Sequence, residues 1–542
     1  MSTELFPITQ SNVDSFININ TPIWAKKQTV ESTTNNINFI YLNFSMVRMQ
    51  ISWIVPKLIF AKGIQEKTGY EVIVMVWKCD EKLRKFLESF DVKILELDRL
   101  IHKDKASLIK TSLSALKLYI TGGRGTSLRN TKYKGYPVGM YLYEDIIRTS
   151  SLSTIHNCWN KIVLRKYIHI MWTLRAMGKY IKKYPAHIGL FDDLAYHEAM
   201  FIQLFAQHKA KTVAISNWAY EYIQFEDNNS IKRRMPLLNE ELQHRIKDVD
   251  DSVISEVDDY LEERFKGNNG RSIDRVAFAN KMVLSREELI SKFNIDKNKK
   301  NIVIMAHTFT DAIFNYGNYY FRDYYDWLDK TLGIAEKIKN VNWILKPHPT
   351  REAYNESEDS IEDMFQRHFN NIAKNNSNNL YFLPDEISSE SIKNIADAII
   401  TIGGNAGGEY ACFGIPSVIV GKPWYAGFGF TIQPKTYDEY VDTLSKISNI
   451  QHLTDEQKKL AKKVFYLKNV NTSYDEYAFR DETAELFNKP YRTMVNEIAN
   501  SYFKSDEKTS DYNDKMLVTL TEYEINHDLR DSEYYKTGFS ME

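Results

Sequence analysis

Two short stretches in the second half of the chain carry residue types that could do chemistry. Lys346-Pro347-His348-Pro349-Thr350 sets an ammonium, an imidazole and a hydroxyl close together on a backbone that two prolines stiffen. An imidazole presented in this way can donate to a phosphate or assist a departing one; alone on a loop it would more simply be a satisfied surface residue. Further on, TIGGNAGGEYACFGIPSVIVGKPWYAGFGF (401–430) is dense in glycine. It lacks the Lys-Ser/Thr of a P-loop and does not space its glycines as G-x-G-x-x-G, so neither nucleotide motif fits. A strand running into the turn Gly403-Gly404-Asn405 and then a helix would aim N–H groups and a positive dipole end at one spot, where a phosphate is stabilised. Glu409, about one turn into that helix, could accept from a ribose diol. Tight packing of the turn is the plainer alternative. Gly407 and Gly408 read as easing helix packing, and Gly427 and Gly429 as shaping a loop.

These residues must be held by strands and helices, and the sequence alternates the two. NIVIMAHTF (301–309), VNWILKPHP (341–349), LYFLP (380–384), DAIITIGG (397–404) and PSVIVG (416–421) read as buried strands with helical stretches between them. KPHP therefore sits at the carboxyl end of a parallel strand, the edge where open α/β sheets bind ligands. His307, Thr308 and Asp311 follow NIVIM at the same edge and could grip a sugar carboxylate or a phosphate. The first half repeats the pattern with INFIYLNF (37–44), EVIVMVW (71–77), VKILEL (92–97), HIGLFDD (187–193) and KTVAIS (211–216). Asp192 and Asp193 end one of these strands and are candidate carboxylates, with capping of the next helix as the alternative.

Composition narrows the classes. The 542 residues carry 70 Lys+Arg against 71 Asp+Glu, so no bulk field selects nucleic acid. Three widely spaced cysteines without a CxxC pair argue against a disulfide framework or a zinc site and suit a reducing cytosol. No acidic metal cluster stands out, and neither a signal peptide nor a spanning segment is expected. A chain of this length should split into domains. We expect an N-terminal Rossmann-like lobe over 1–285 with helical insertions, a second over 286–452, and a helical C-terminal segment with a polar tail over 453–542.

KPHP, then DAIITIGGNAGGEYACFGIPSVIVG, then WYAGFGF together resemble the C-terminal lobe of GT-B glycosyltransferases, and more narrowly the bacterial capsule and surface-polysaccharide synthesis proteins that include β-Kdo transferases. YKGYPVGMYLYEDIIR (133–148) extends the likeness weakly into the first half. The resemblance implies an α/β, GT-B-like fold of two Rossmann-like lobes whose parallel sheets face a central cleft. It implies that Lys346, His348, Thr350, Gly403, Gly404 and Asn405 hold the donor phosphate and Glu409 the ribose, with His307, Thr308 and Asp311 at the donor sugar. Glu144 matches the acidic residue of the family's tyrosine-acid stretch, a surface ion pair with Arg148 being the alternative. With Asp193 and Asp192 it supplies the expected catalytic carboxylates, acting as base or as nucleophile of a retaining route. Gly404-Asn405 stands where many relatives carry Ser or Thr, so a hydroxyl contact does not transfer.

The implied activity is metal-independent transfer of a sugar, Kdo or a related ulosonic acid from a CMP-sugar first, to a bacterial capsule or lipopolysaccharide glycan. The nucleotide-sugar is a substrate, and no cofactor is expected. The partners are that donor and a glycan or lipid-linked glycan acceptor, in the cytoplasm, with room for peripheral association at the inner membrane or with other glycan-assembly enzymes. The alternatives are a teichoic-acid-type glycerophosphotransferase using CDP-glycerol and a non-catalytic assembly or export partner.

Overall fold

The computed structural model of the chain describes residues 39–44, 58, 61–62, 65, 70–79, 81–122, 126–191, 195–214, 223–225, 239, 242–267, 278–314, 320–349, 360–374 and 379–470. These divide into two compact units, the first of 39–146 with 156–225, the second of 147–155 with 239–470. The second unit thus takes in 239–285, which the sequence reading gave to the first lobe.

The first unit is built on β1 (Phe39–Asn43), β2 (Glu71–Val76), β3 (Lys93–Glu96), β6 (Ala186–Phe191), β7 (Lys211–Ala214) and β8 (Ile223–Phe225), with a small antiparallel hairpin of β4 (Lys132–Tyr133) and β5 (Tyr136–Pro137) outside the sheet. The order is β3-β2-β1-β6-β7-β8, parallel except for β8, which runs antiparallel to β7. FIYLN in β1 is buried throughout, as a strand covered on both faces must be. The Tyr41 hydroxyl inside this core finds an acceptor at the Tyr184 carbonyl, 2.7 Å away.

The second unit repeats the plan with β9 (Lys300–Met305), β10 (Val341–Lys346), β11 (Leu380–Phe382), β12 (Ala398–Thr401), β13 (Ser417–Ile419) and β14 (Thr431–Ile432). Their order is β11-β10-β9-β12-β13-β14, with every pair parallel. Val303, Ile344 and Ile399 from three adjacent strands share one core with Leu289, Ile392 and Tyr410. Inside the sheet Asn342 Nδ2 donates to Asn301 Oδ1 at 2.8 Å and to the Asp296 carbonyl at 2.7 Å. Asp323 caps the helix Tyr324–Ala335 by accepting from Asp326 N–H at 2.8 Å. Ser285 and Glu288 form a full capping box on Arg286–Phe293.

The α/β class is therefore as expected, while one element differs from the sequence reading. The helix Asp455–Phe465, anticipated as the start of a separate terminal segment, buries Ala461, Val464 and Phe465 in a core with Trp424, Tyr425 and the helix Ile254–Lys266. Residues 471–542 lie outside the described residues.

Candidate active site

In both units the chain lays strands to one side of a central strand and then returns to the other side. The reversal falls between β1 and β6 in the first sheet and between β9 and β12 in the second. The peptides leaving two such strands diverge, so a crevice opens at their carboxyl ends. In the second unit that crevice collects the predicted residues.

His307 and Thr308 leave β9, His348 leaves β10, and Gly403-Gly404-Asn405 leave β12. The His307 and His348 rings lie 5.5 Å apart at 33°, and His307 also packs on Tyr324 at 4.4 Å. A Cβ on Gly404 would crowd Thr401 Oγ1 at 3.2 Å and stand in ordinary contact, 3.8 Å, with His307 Cδ2, so the turn lies beside the imidazole. His307 Nδ1 faces the Thr308 carbonyl at 3.3 Å, which favours the tautomer with its proton there. The Thr308 hydroxyl is buried and has no hydrogen-bond partner among the described residues. Asp311 is tied into the same turn: its N–H donates to the Thr308 carbonyl at 3.2 Å and its carboxylate accepts from Ala312 N–H at 3.1 Å.

The electrostatics keep both imidazoles neutral. Burial first, then the His307 ring beside it, push His348 down to about 3, with Asp311 pulling the other way and Lys281 adding to the fall. Burial likewise holds His307 below its ordinary value against Asp311 and the Thr308 carbonyl. A neutral imidazole can donate one N–H and accept at the other nitrogen, so the pair offers hydrogen bonds without a fixed charge.

Other predicted residues are placed differently from the expectation. Lys346 is fully buried, and its ammonium donates to the Pro384 and Ile387 carbonyls at 2.7 and 2.8 Å. These bonds tie the loop after β11 to β10. Gly404 N–H is taken by Thr401 Oγ1 at 3.2 Å, and its carbonyl accepts from the Tyr425 hydroxyl at 2.6 Å. Asn405 Oδ1 accepts from Trp424 Nε1 at 3.0 Å. The helix expected over 406–413 is a single α-turn, Ala406–Glu409, continued by the 3-10 turn Tyr410–Phe413, so little dipole is aligned there. Glu409 pairs with Arg264 at 2.8 Å, both buried. Thr350 lies outside the described residues.

In the first unit Glu144 sits on the helix Gly139–Ser150 and is 1% exposed, which removes the surface-pair alternative. Its carboxylate accepts from Tyr196 N–H at 3.4 Å. Tyr196 has φ +57°, a left-handed conformation that a bulky side chain adopts only under constraint. The neighbouring Asp145, also buried, accepts from His197 Nδ1 at 2.7 Å and from His197 N–H at 3.3 Å. Both helix carboxylates therefore brace the strained start of the helix Tyr196–Gln207. Asp192 and Asp193, just ahead of it, lie outside the described residues. The Asp145–His197 pair escaped the sequence reading, as did Arg264; each has its partner far along the chain, and only the acid next to Glu144 hinted at the first. Among the described residues no group of three or more His, Cys, Asp or Glu is arranged to hold a metal.

Fold and site together define a two-unit, doubly wound α/β protein with a histidine-lined switch-point site in its second unit. Residues 249–475 match the family model described as capsule polysaccharide biosynthesis protein, a match confined to less than half of the chain and covering that site. No curated protein matches the chain. Among solved structures, similarity extends to a glycosyltransferase from Rickettsia africae, at 11% identity and a TM-score of 0.26, over 86% of this chain and 100% of that one. It extends also to a β-Kdo 2,4-transferase of Thermosulfurimonas dismutans, at 10% identity and a TM-score of 0.31, over 51% of this chain and 79% of that one.

Proposed function

We propose that this protein is a GT-B-type glycosyltransferase of capsule or related surface-polysaccharide synthesis whose second unit binds a nucleotide-sugar donor at the β9/β12 switch point. The observation that carries this reading is the meeting of His307, His348, Thr308 and the Gly404 turn at that point, within the segment that matches the capsule family. His348, neutral and bounded by prolines, donates to a donor phosphate oxygen and strengthens that bond as the phosphate leaves with its charge. The Thr308 hydroxyl supplies a second donor, and His307 sets the angle of His348. Lys346 and Glu409 act by holding the loops. In the first unit Asp193, with Asp192 beside it, serves the acceptor hydroxyl or the anomeric carbon, and Glu144 braces the start of the helix Tyr196–Gln207 that follows them in the sequence. The donor favoured is a CMP-linked ulosonic acid such as Kdo, by the resemblance that KPHP and the glycine turn carry.

Calorimetric titration of the full chain with CMP, CDP, UDP and GDP tests the site. His348→Ala should weaken the preferred nucleotide about 10- to 100-fold, the worth of one hydrogen bond to a charged group. Unchanged affinity would remove His348 from the site. Transfer of label from CDP-glycerol but from no CMP-sugar would replace glycosyl transfer by glycerophosphate transfer.

A further inference from the structure

The helix Lys105–Thr121 of the first unit wears its large apolar side chains on the outside. Ile109 is 64% exposed, Leu113 64%, Leu116 54% and Ile120 70%. At about 100° per residue these four fall within roughly 60° of one another, forming one stripe along the helix. The opposite, buried face carries Ser107, Thr111, Ala115 and Leu118. Ser107 and Thr111 satisfy their hydroxyls within the helix, on Asp104 at 2.6 Å and on the Ser107 carbonyl at 2.7 Å. The inward face is thus mixed, Leu108 and Leu118 beside Ser107, Thr111 and Ala115, while four branched apolar side chains point to solvent. Among the described residues nothing in the fold of the first unit requires the outward stripe, because the contact with the helix Lys161–Lys183 is made by the other face, where Leu108 packs on Trp172 and Ala176.

The stripe continues at its C-terminal end. Trp159, 58% exposed, donates through Nε1 to the Tyr119 carbonyl at 2.8 Å, and exposed Ile162 follows two residues after the cap Asn160. Cations flank it: Lys105, Lys110, Lys117, Lys161 and Arg165 are all exposed. Neither 105–121 nor 156–170 contains a single Asp or Glu, in a chain whose total charge is almost balanced. An apolar stripe edged by an indole and by cations, with the N-cap Asp104 largely buried and taken up by Lys179 and Ser107, has the chemistry of the bilayer interface. Branched side chains enter the acyl boundary, Trp sits at headgroup level, and Lys and Arg reach anionic phosphates. No described helix is long and apolar enough to cross a membrane, so the contact would lie in the plane of the surface.

We propose that the helix Lys105–Thr121, with Trp159 and Ile162, docks the protein on an anionic lipid bilayer. This surface belongs to the first unit and the proposed donor site to the second, and they share no residue, so its failure would leave the proposed activity untouched. The test floats full-length protein with vesicles of phosphatidylcholine alone and of phosphatidylcholine mixed with phosphatidylglycerol. Binding is expected on the mixed vesicles, weakened by salt, and reduced at least about 10-fold in Leu113→Gln/Ile120→Gln and in Lys110→Glu/Lys117→Glu. All four positions are solvent-facing, so the thermal melting of both variants should match the parent and report that they fold. If one pair lowers the melting temperature, the other pair decides. Equal flotation of parent and folded variants, or none on either vesicle, overturns the proposal. So does a concentration-dependent dimer, seen by sedimentation, that Leu113→Gln/Ile120→Gln abolishes while vesicle binding is absent.

Discussion

His348 is worth more to the protein neutral than charged. Its ordinary value is 6.5, and in the folded unit it is pushed down to about 3 by burial and the neighbouring His307. Between those values the unfolded chain binds a proton that the native state refuses, so stability is fully present above about 6.5 and drains away as pH falls toward 3. His307, shifted in the same direction, adds to the effect. Melting temperatures measured between neutral and mildly acidic pH should therefore fall less steeply for His348→Gln than for the parent, because Gln takes no proton. Parallel slopes would show that the His348 environment is not the source. At this scale the sequence pointed to His348 and to the glycine turn through local signals: a proline frame, a strand end, bare backbone. It did not show the partners of Lys346 and Glu409, the Pro384 and Ile387 carbonyls and the Arg264 guanidinium, because they lie far away in the chain.

The turn after β12 is an element locked from one side. Tyr425 and Trp424 bond the Gly404 carbonyl and Asn405, and their rings cover the next two glycines. A Cβ on Gly407 would lie 2.4 Å from the Tyr425 hydroxyl, and one on Gly408 would lie 2.9 Å from both Trp424 and Tyr425. Gly408→Ala should cost about 1–3 kcal/mol by overpacking, reduced by the better helix propensity of Ala. Urea unfolding measures it, and a cost near zero would mean that the aromatic lid does not hold the turn. The packing role of these glycines was legible; the residues that impose it were not, since WYAG reads equally well as a loop. Strands rich in Val and Ile announced themselves by composition. β8 and β14 did not, being two or three residues long at the sheet edges. The outward stripe of Lys105–Thr121 also has ordinary helical spacing, so periodicity alone places its apolar face inward.

Across the whole molecule the chain repeats one plan twice, each sheet with a central strand and a switch point beside it. If the donor binds as proposed, only the second unit should respond. Hydrogen exchange with and without the preferred nucleotide is expected to slow at 307–311, 346–348 and 403–409 and to leave β1 to β3 unchanged; protection in the first sheet instead would move the nucleotide there. The sequence by itself determined the α/β class, the alternation of elements and the crowding of phosphate-suited residues at strand ends, because periodicity and backbone freedom are local properties. Only the tertiary structure decided which of those residues meet. His307 and His348 come from different strands and become neighbours through strand order, while Glu144 and Asp145 turn inward to brace Tyr196 and His197. Strand order and side-chain pairing depend on contacts between segments remote in sequence, and no local pattern encodes them.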